Sequence, residues 1–160
     1  MKKFELTAES VTNNFGKKLF RIKSLVDFGD VKKDELGGFV EKEENLSHDG
    51  DARVCGNAEV SGDARVYGNA RVYGDAQVSS DADYATVKGF GRYFRATTFF
   101  RCKDKILRVQ CGCFYGDLTQ FREIVKETHG ESKHAKEYLA IADLMELHFS
   151  DEEEKQEAAE

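Results

Sequence analysis

Residues 50–85 form six consecutive hexads, which read GDARVC (50–55), GNAEVS (56–61), GDARVY (62–67), GNARVY (68–73), GDAQVS (74–79) and SDADYA (80–85). Alanine holds the third position of every hexad, and valine holds the fifth position of the first five. Glycine accepts a positive φ without steric cost, and Asp or Asn beside it hydrogen-bonds the local backbone in turns. The period of six therefore predicts short straight edges that alternate with tight corners.

Each hexad is too short to bury apolar surface alone. Its alanine and valine are separated by one residue, so both point to the same face of a short strand. Such units become stable when they wind into a coil and stack. If three edges close a triangle, residue i lies beside residue i+18. The core pairs predicted by this rule are Val54 with Val72, Val60 with Val78 and Ala58 with Ala76.

The hexads resemble the repeats of left-handed parallel β-helices, in which Val-x-x-x-Ala-x units carry Gly-Asp or Gly-Asn at the corners. Further motifs resemble hexapeptide-repeat proteins of bacteria and their phages, many of which are labelled transferases: DFGDVK (27–32), LGGFVE (36–41), ENLS (44–47), FFR (99–101), VQCGCF (109–114), THG (128–130) and EYL (137–139). This resemblance implies left-handed winding and a homo-oligomer, a trimer first and a dimer next. It brings no established activity.

The six-residue frame can be followed beyond the regular hexads. Upstream it places Val40 and Leu46 in the alanine position, so the first coil is predicted to start near Gly38. Downstream it places Lys88 there, and a charged side chain in the core is costly. The regular frame is therefore predicted to end around Ala85, which gives about three coils.

The predicted fold class is mainly β, with a short left-handed parallel β-helix and α+β additions. Its four segments are an N-terminal β cap (1–37), the hexapeptide-repeat β-helix (38–91), a C-terminal segment with a β-hairpin and two helices (92–150) and an acidic flexible tail (151–160). The elements predicted outside the repeats are strands at 4–7, 17–26, 93–101 and 106–111, a turn at 112–116, and helices at 117 to about 129 and about 133 to 149. The cap is expected to cover the open end of the first coil.

The charge of the chain is concentrated at its C-terminus. Residues 151–160 hold six acids and one lysine, a net −5 out of the −6 of the whole chain, so the remainder carries −1. Nucleic acid is not an expected partner, because basic side chains alternate with acidic ones. The chain shows no apolar leader and no run long enough for a membrane span, so a cytoplasmic protein is expected.

The four cysteines are Cys55, Cys102, Cys111 and Cys113. They are expected to be free thiols in a reducing compartment. Cys111 and Cys113 would share a face of a strand, and with Cys102 and a histidine they could bind zinc. Their spacing is not that of a zinc ribbon or finger, so neither a metal nor a cofactor is predicted.

Catalysis is the first of two functional hypotheses. Many hexapeptide-repeat enzymes bind an acyl-CoA between subunits and use one histidine as general base. The four histidines are His48, His129, His134 and His148, and His48 is the weak catalytic candidate because it alone lies near the repeats. Residues 50–79 contain no inserted loop that could seat a base beside a substrate.

Binding is the second and preferred hypothesis. The position between alanine and valine faces outward, and the rule of eighteen stacks Arg53 on Arg71, while Tyr67 and Tyr73 project beside corners. Arginine and tyrosine are enriched at protein interfaces. The alternative is that these residues form an ordinary solvent-exposed face with no partner. We expect a rigid non-enzymatic binding or scaffold module, encoded by a phage or prophage, that binds and modulates a host protein through these four residues. An enzyme that uses acyl-CoA is the alternative.

Overall fold

The structure, a computed structural model, describes residues 2–150. The predicted acidic tail, residues 151–160, lies outside this range. Within it the chain forms eleven strands and two helices: β1 Phe4–Thr12, β2 Lys18–Ser24, β3 Leu36–Val40, β4 Arg53–Val54, β5 Glu59–Val60, β6 Arg71–Val72, β7 Gln77–Val78, β8 Tyr84–Phe90, β9 Arg95–Arg101, β10 Leu107–Cys111, β11 Phe114–Asp117, α1 Leu118–His129 and α2 Lys133–His148. The protein is thus mainly β with a C-terminal two-helix segment.

The hexads stack in parallel with the offset that the sequence predicts. β4 pairs with β6, placing Val54 opposite Val72, and β5 pairs with β7, placing Val60 opposite Val78. The alanines and valines of the first five hexads are all buried: Ala52, Val54, Ala58, Val60, Ala64, Val66, Ala70, Val72, Ala76 and Val78. The register confirms the rule of eighteen and the narrow core of small and branched side chains.

The residues before the regular hexads pair with a different offset from the one that the six-residue frame predicts. Val40 lies opposite Val60 and Leu46 opposite Val66, an offset of twenty residues. The prediction that Val40 and Leu46 take the alanine position is therefore wrong, because both take the valine position. Two extra residues fall between Leu46 and Val54, in the stretch that holds His48. Local spacing could not show this slip, since apolar side chains fill the core in either frame.

The N-terminal strands cover the beginning of the repeats, as predicted. β1, β2 and β3 pair antiparallel, and β3 then pairs in parallel with β5, in a sheet of order β1-β2-β3-β5-β7. Phe4 and Ile22 pack into the repeat core. β1 is longer than predicted and contains an irregularity between Leu6 and Ser10.

The C-terminal strands form a four-stranded antiparallel sheet of order β11-β10-β9-β8, larger than the predicted hairpin. The predicted pairing of β9 with β10 is confirmed. The predicted turn at 112–116 is too long, because only Gly112 and Cys113 separate β10 from β11. β8 begins inside the sixth hexad at Tyr84, which still packs in the repeat core, whereas Ala82 of that hexad is exposed. Lys88 is exposed too, so it lies outside the core, as the predicted end of the regular frame around Ala85 requires.

Strand β9 belongs to two cores at once. Phe100 packs with the repeat core, whereas its neighbour Phe99 packs with the helices. Successive side chains of a strand point to opposite faces. The same sheet also reaches the last coil through the backbone, because the N–H of Lys103 donates to the carbonyl of Asp75 at 3.0 Å. The C-terminal sheet therefore covers the end of the repeats on one face and carries the helices on the other.

The two helices begin and end close to the predicted positions. Asp117 caps α1 by accepting a hydrogen bond from the backbone N–H of Gln120 at 2.8 Å, and Gly130 ends it with φ of 59°. Phe121 meets Phe99 and Tyr138 edge to face at 5.9 Å each. Ile124, one of the apolar residues of α1, is 37% exposed. Among residues 2–150, neither helix has the length and apolarity to cross a membrane.

Candidate functional site

The turn between β8 and β9 and the first residue of β9 bring two exposed aromatic side chains together with two arginines. Tyr93 is 68% exposed and Phe94 is 64% exposed, between Arg92 and Arg95. We call these four residues the arginine–aromatic tip. The guanidinium of Arg95 lies over the Tyr93 ring at 5.1 Å, which holds the two side chains together. Large apolar side chains are not needed to make a turn, so their exposure calls for another explanation.

The tip is anchored from below by helix α2. The Tyr138 hydroxyl donates a hydrogen bond to the carbonyl of Phe90 at 3.1 Å. Gly91 has a φ of 76°, and a Cβ at this position would collide with the Tyr138 hydroxyl. Burial raises the pKa of Tyr138 to about 12, so the phenol stays protonated and remains a donor at neutral pH. The tip is thus held on a packed helix although it lies in a turn.

Two cavities flank the tip. The helix-side cavity, of about 320 Å³, lies between the sheet and the helices and is lined by Arg92, Arg95, Cys111, Cys113, Phe121 and His129 among others. The repeat-side cavity, of about 420 Å³, is lined by Asp30, Asp51, Arg71, Lys88, Arg95 and Cys113 among others. Arg95 and Cys113 line both cavities. The two depressions and the tip therefore form one continuous surface.

The helix-side cavity is apolar at its base and basic at its rim. Phe121 and Val125 from α1 are buried, while Arg92 and Arg95 come from the tip. Burial lowers the pKa of His129, and the neighbouring His134 and Arg92 lower it further. The imidazole of His129 is therefore neutral at pH 7, and the arginines supply the positive charge.

Positive charge on this surface is not neutralised by nearby carboxylates. Within residues 2–150, no carboxylate oxygen lies within 4.0 Å of the charged nitrogens of Arg71, Lys88, Arg92 or Arg95. The backbone N–H of Arg71 donates to the Thr98 hydroxyl at 2.9 Å, which ties the repeats to β9 beside the repeat-side cavity. The surface thus presents four charged groups to an incoming ligand.

Arg53, predicted to face outward, is buried and only 3% exposed. Its Nη1 donates to the Tyr73 hydroxyl at 3.3 Å and lies 3.7 Å from a carboxylate oxygen of Asp30. The turn at residues 27–31 covers this side of the repeats, and a Cβ on Gly29 would come within 2.8 Å of the Arg53 guanidinium. The prediction of a solvent-facing side chain fails here because a segment distant in sequence packs over it.

The remaining predicted binding residues do not lie on one surface. Arg71 is opposite Arg53 as predicted, and it lines the repeat-side cavity. Tyr73 is partly buried against the repeat core and contacts Arg53. Tyr67 is 59% exposed and belongs to the preceding hexad. Hexads eighteen residues apart pair with each other, as in β4–β6 and β5–β7, whereas these two pairs belong to different sheets.

His48 joins the N-terminal strand to the extra residues of the first coil. Its Nδ1 accepts a hydrogen bond from the backbone N–H of Lys3 at 3.0 Å, and its ring stacks on Phe4 at 4.3 Å. It also lines an open depression of about 330 Å³, together with three acids and one base: Glu43, Glu44, Asp49 and Arg65. One ring nitrogen of His48 is thus engaged in holding the N-terminal strand.

The cysteines are free in the described part of the chain. Among residues 2–150, no three His, Cys, Asp or Glu side chains group closely enough to hold a metal ion. Cys111 and Cys113 both line the helix-side cavity. Neither this cavity nor the tip is predicted from the sequence, because the predicted strand at 93–101 includes Tyr93 and Phe94, whereas β9 begins only at Arg95.

Comparison with protein families gives a match to the YdcK beta solenoid repeat over residues 64–80. The matched residues lie inside the hexads, so this stretch is similar to a β-solenoid repeat, in agreement with the parallel stacking. No curated protein matches the chain.

Proposed function

We propose that this protein is a non-catalytic binding module that presents the arginine–aromatic tip to an acidic partner protein. The observation that carries the proposal is the pair of exposed aromatics, Tyr93 and Phe94, set between two arginines on a turn that Tyr138 anchors. Aromatic and arginine side chains dominate the energetics of protein interfaces. An anchored turn also loses less conformational entropy on binding than a free one.

The charge of the tip defines the partner. Arg71, Lys88, Arg92 and Arg95 outnumber Asp30 and Asp51 on the surface formed by the tip and the repeat-side cavity. Complementary charge accelerates association and excludes partners of the wrong sign. The partner is therefore a protein with an acidic patch. The resemblance to hexapeptide-repeat proteins of bacteria and phages supports a phage or prophage origin and a host protein as this partner.

The repeats serve as the rigid platform in this proposal. The offset of eighteen in β4–β6 and β5–β7 supports a triangular coil, and the hexapeptide-repeat resemblance supports left-handed winding over about three coils. The same resemblance supports a homo-oligomer, with Tyr67 as exposed interface material. Light scattering at micromolar concentration is expected to give the mass of a trimer or a dimer. The mass of a monomer would contradict the proposed homo-oligomer.

An enzyme that uses acyl-CoA is less well supported. The depression beside His48 is lined by Glu43, Glu44 and Asp49, whose charges would repel the phosphates of CoA. If the protein is a binding module, millimolar acetyl-CoA should not raise its melting temperature. The wild type should then show no turnover of acetyl-CoA that His48→Ala could abolish. Strong stabilisation by acetyl-CoA together with acceptor-dependent release of free thiol would instead support the enzyme.

The test of the binding proposal compares two matched double variants in affinity capture from a bacterial lysate. Tyr93→Ala/Phe94→Ala removes the exposed aromatics of the tip, and Leu144→Ala/Leu147→Ala removes two comparably exposed side chains of α2. A partner identified with the wild-type protein is then purified, and its dissociation constant is measured against all three proteins at two salt concentrations.

The proposal predicts that the tip variant loses about 2 kcal/mol or more of binding free energy, while the α2 variant binds like the wild type. Arg92→Glu/Arg95→Glu should weaken binding further, mainly through a slower association rate that added salt reproduces in the wild type. Equal binding by the wild type and the tip variant would disprove the assignment of the surface.

A further inference from the structure

We infer that Cys111 and Cys113 form a dithiol site, open to the helix-side cavity, that exchanges with small anionic disulfides and closes into an intramolecular disulfide. The site shares Arg92 and Arg95 with the proposed binding surface. It does not depend on the presence of a protein partner, because its reaction is with a small molecule.

The turn brings the two thiols within reach of each other. Cys111 is the last residue of β10 and pairs with Phe114, so Gly112 and Cys113 alone make the turn. The two cysteine Cα atoms are two peptide steps apart, which limits their separation to about 7 Å. Disulfides form at Cα separations of about 4.4 to 6.8 Å. Both residues line the same cavity.

The two thiols have different surroundings, which assigns them different roles. Cys113 is exposed and meets a dissolved disulfide first. Cys111 is partly buried, and its sulfur accepts a hydrogen bond from the hydroxyl of the fully buried Thr97 at 3.2 Å. This hydrogen bond holds the Cys111 sulfur in place beside the turn. Cys113 is therefore the entering thiol and Cys111 the resolving thiol.

Arginine side chains supply the positive charge that an anionic disulfide requires. The Arg95 guanidinium packs directly on Gly112, and a Cβ at this position would overlap its Nη1 atom. Gly112 has a φ of 59°, which also favours glycine. The cation is thus placed over the residue between the two thiols. Arg92 lines the same cavity.

The reaction consists of two thiol–disulfide exchanges. The Cys113 thiolate attacks one sulfur of the small disulfide, which forms a mixed disulfide and releases one small thiolate. The Cys111 thiolate then attacks the Cys113 sulfur, which forms the Cys111–Cys113 bond and releases the second small thiolate. Both protein thiols are oxidised and the small disulfide is reduced to two thiols, which take up the two protons.

The other two cysteines serve as internal controls. Burial raises the pKa of the Cys55 thiol and of the Cys102 thiol, so both are thiols and not thiolates at neutral pH. Neither lines the helix-side cavity. The site therefore predicts that exchange is restricted to Cys111 and Cys113 in the folded protein.

The experiment treats the reduced full-length protein with glutathione disulfide, then blocks remaining thiols and maps them by mass spectrometry. The expected product has lost the mass of two hydrogen atoms and carries a Cys111–Cys113 bond. Cys111→Ser should accumulate one glutathione on Cys113, and Cys113→Ser should react more slowly than Cys111→Ser. Bis(2-hydroxyethyl) disulfide is uncharged, so comparing its reaction rate with that of glutathione disulfide shows how much the arginines accelerate the reaction of an anionic disulfide.

The positive charge of the cavity should make the dithiol react faster with an anionic disulfide than with an uncharged one. Arg92→Gln/Arg95→Gln is expected to slow the reaction with glutathione disulfide about tenfold relative to the reaction with the uncharged reagent. In the wild type, added salt should slow only the glutathione reaction, so the test does not depend on how the variant folds. Equal labelling of all four cysteines, a mixed disulfide that never closes in the wild type, or salt-independent selectivity would each overturn the proposal.

Discussion

The repeats and the C-terminal segment bury their side chains in opposite ways. In the repeats, small and branched residues lie opposite equivalents one coil away, as Val54 does with Val72. In the C-terminal segment, one aromatic ring contacts several unlike neighbours, as Phe121 does with Phe99, Phe114 and Tyr138. The core of the repeats is filled uniformly by small and branched side chains. The core of the C-terminal segment, built from unlike aromatic residues, leaves the helix-side cavity, which is lined by cysteines, arginines and a histidine.

The contrast suggests a division of roles between platform and site. The hexads offer near-identical surfaces, so no single hexad collects the different groups that recognition or chemistry needs. The tip, the two cavities and the dithiol turn all lie where the non-repeating strands β8 to β11 meet the helices or the last coil. Strand β9 connects the two regions, because its successive residues Phe99 and Phe100 enter different cores.

The largest effect is expected from a charge in the repeat core. Val66 is completely buried, and Val66→Asp places an unpaired carboxylate where nothing can rearrange to solvate it. We expect a loss of about 5 kcal/mol or more in the free energy of unfolding, enough to abolish folding. Circular dichroism and thermal melting measure it. The neighbouring exposed Arg65→Glu is the control and should melt close to the wild type; a cooperative melt of Val66→Asp near wild type would contradict the repeat core.

Two adjacent substitutions on β9 separate the two cores. Phe99→Ala and Phe100→Ala each remove a fully buried ring, and each should cost about 3 to 5 kcal/mol. Hydrogen exchange should distinguish them, with faster exchange in the helices for Phe99→Ala and in residues 70–78 for Phe100→Ala. Identical exchange patterns for the two variants would show that the cores unfold as one unit.

A pair of glycine substitutions tests how the tip is held. Both Gly89 and Gly91 have positive φ, at 102° and 76°, but only a Cβ at Gly91 collides with the Tyr138 hydroxyl. Gly89→Ala should show the cost of backbone strain alone, about 1 kcal/mol, and Gly91→Ala should cost about 1 to 2 kcal/mol more. Urea unfolding gives both values. Equal costs would mean that Tyr138 does not anchor the tip.

The smallest effect concerns the opposite end of the repeats, where Lys3 is buried. Its ammonium donates to the carbonyl of Ala52 at 2.8 Å, and burial lowers its pKa from 10.5 to about 8. Above pH 8 the unfolded state binds more protons than the folded state, so this lysine makes the free energy of unfolding rise with pH by at most about 1.4 kcal/mol per unit. The free energy of unfolding of the wild type should therefore rise relative to that of Lys3→Met from pH 8 to 9.5. A difference between the two proteins that stays constant with pH would contradict the lowered pKa of Lys3.

Much of the architecture could be predicted from local patterns. The hexads specify the pairing of Val60 with Val78, because glycine corners and alternating apolar residues leave one compact way to stack. The ends of α1 follow from a capping aspartate, Asp117, and a closing glycine, Gly130, since both satisfy backbone groups within a few residues. These features depend on contacts whose spacing the sequence itself contains.

The surface could not be predicted in the same way. The burial of Arg53, the two-residue slip before Val54 and the cavity that unites Cys111 with Arg92 all depend on segments far apart in the chain. The sequence by itself determined the period, the core positions and the helices, because these follow from short-range geometry. Only the tertiary structure decided which polar groups are covered and which meet, because that depends on how the cap and the C-terminal sheet pack against the repeats.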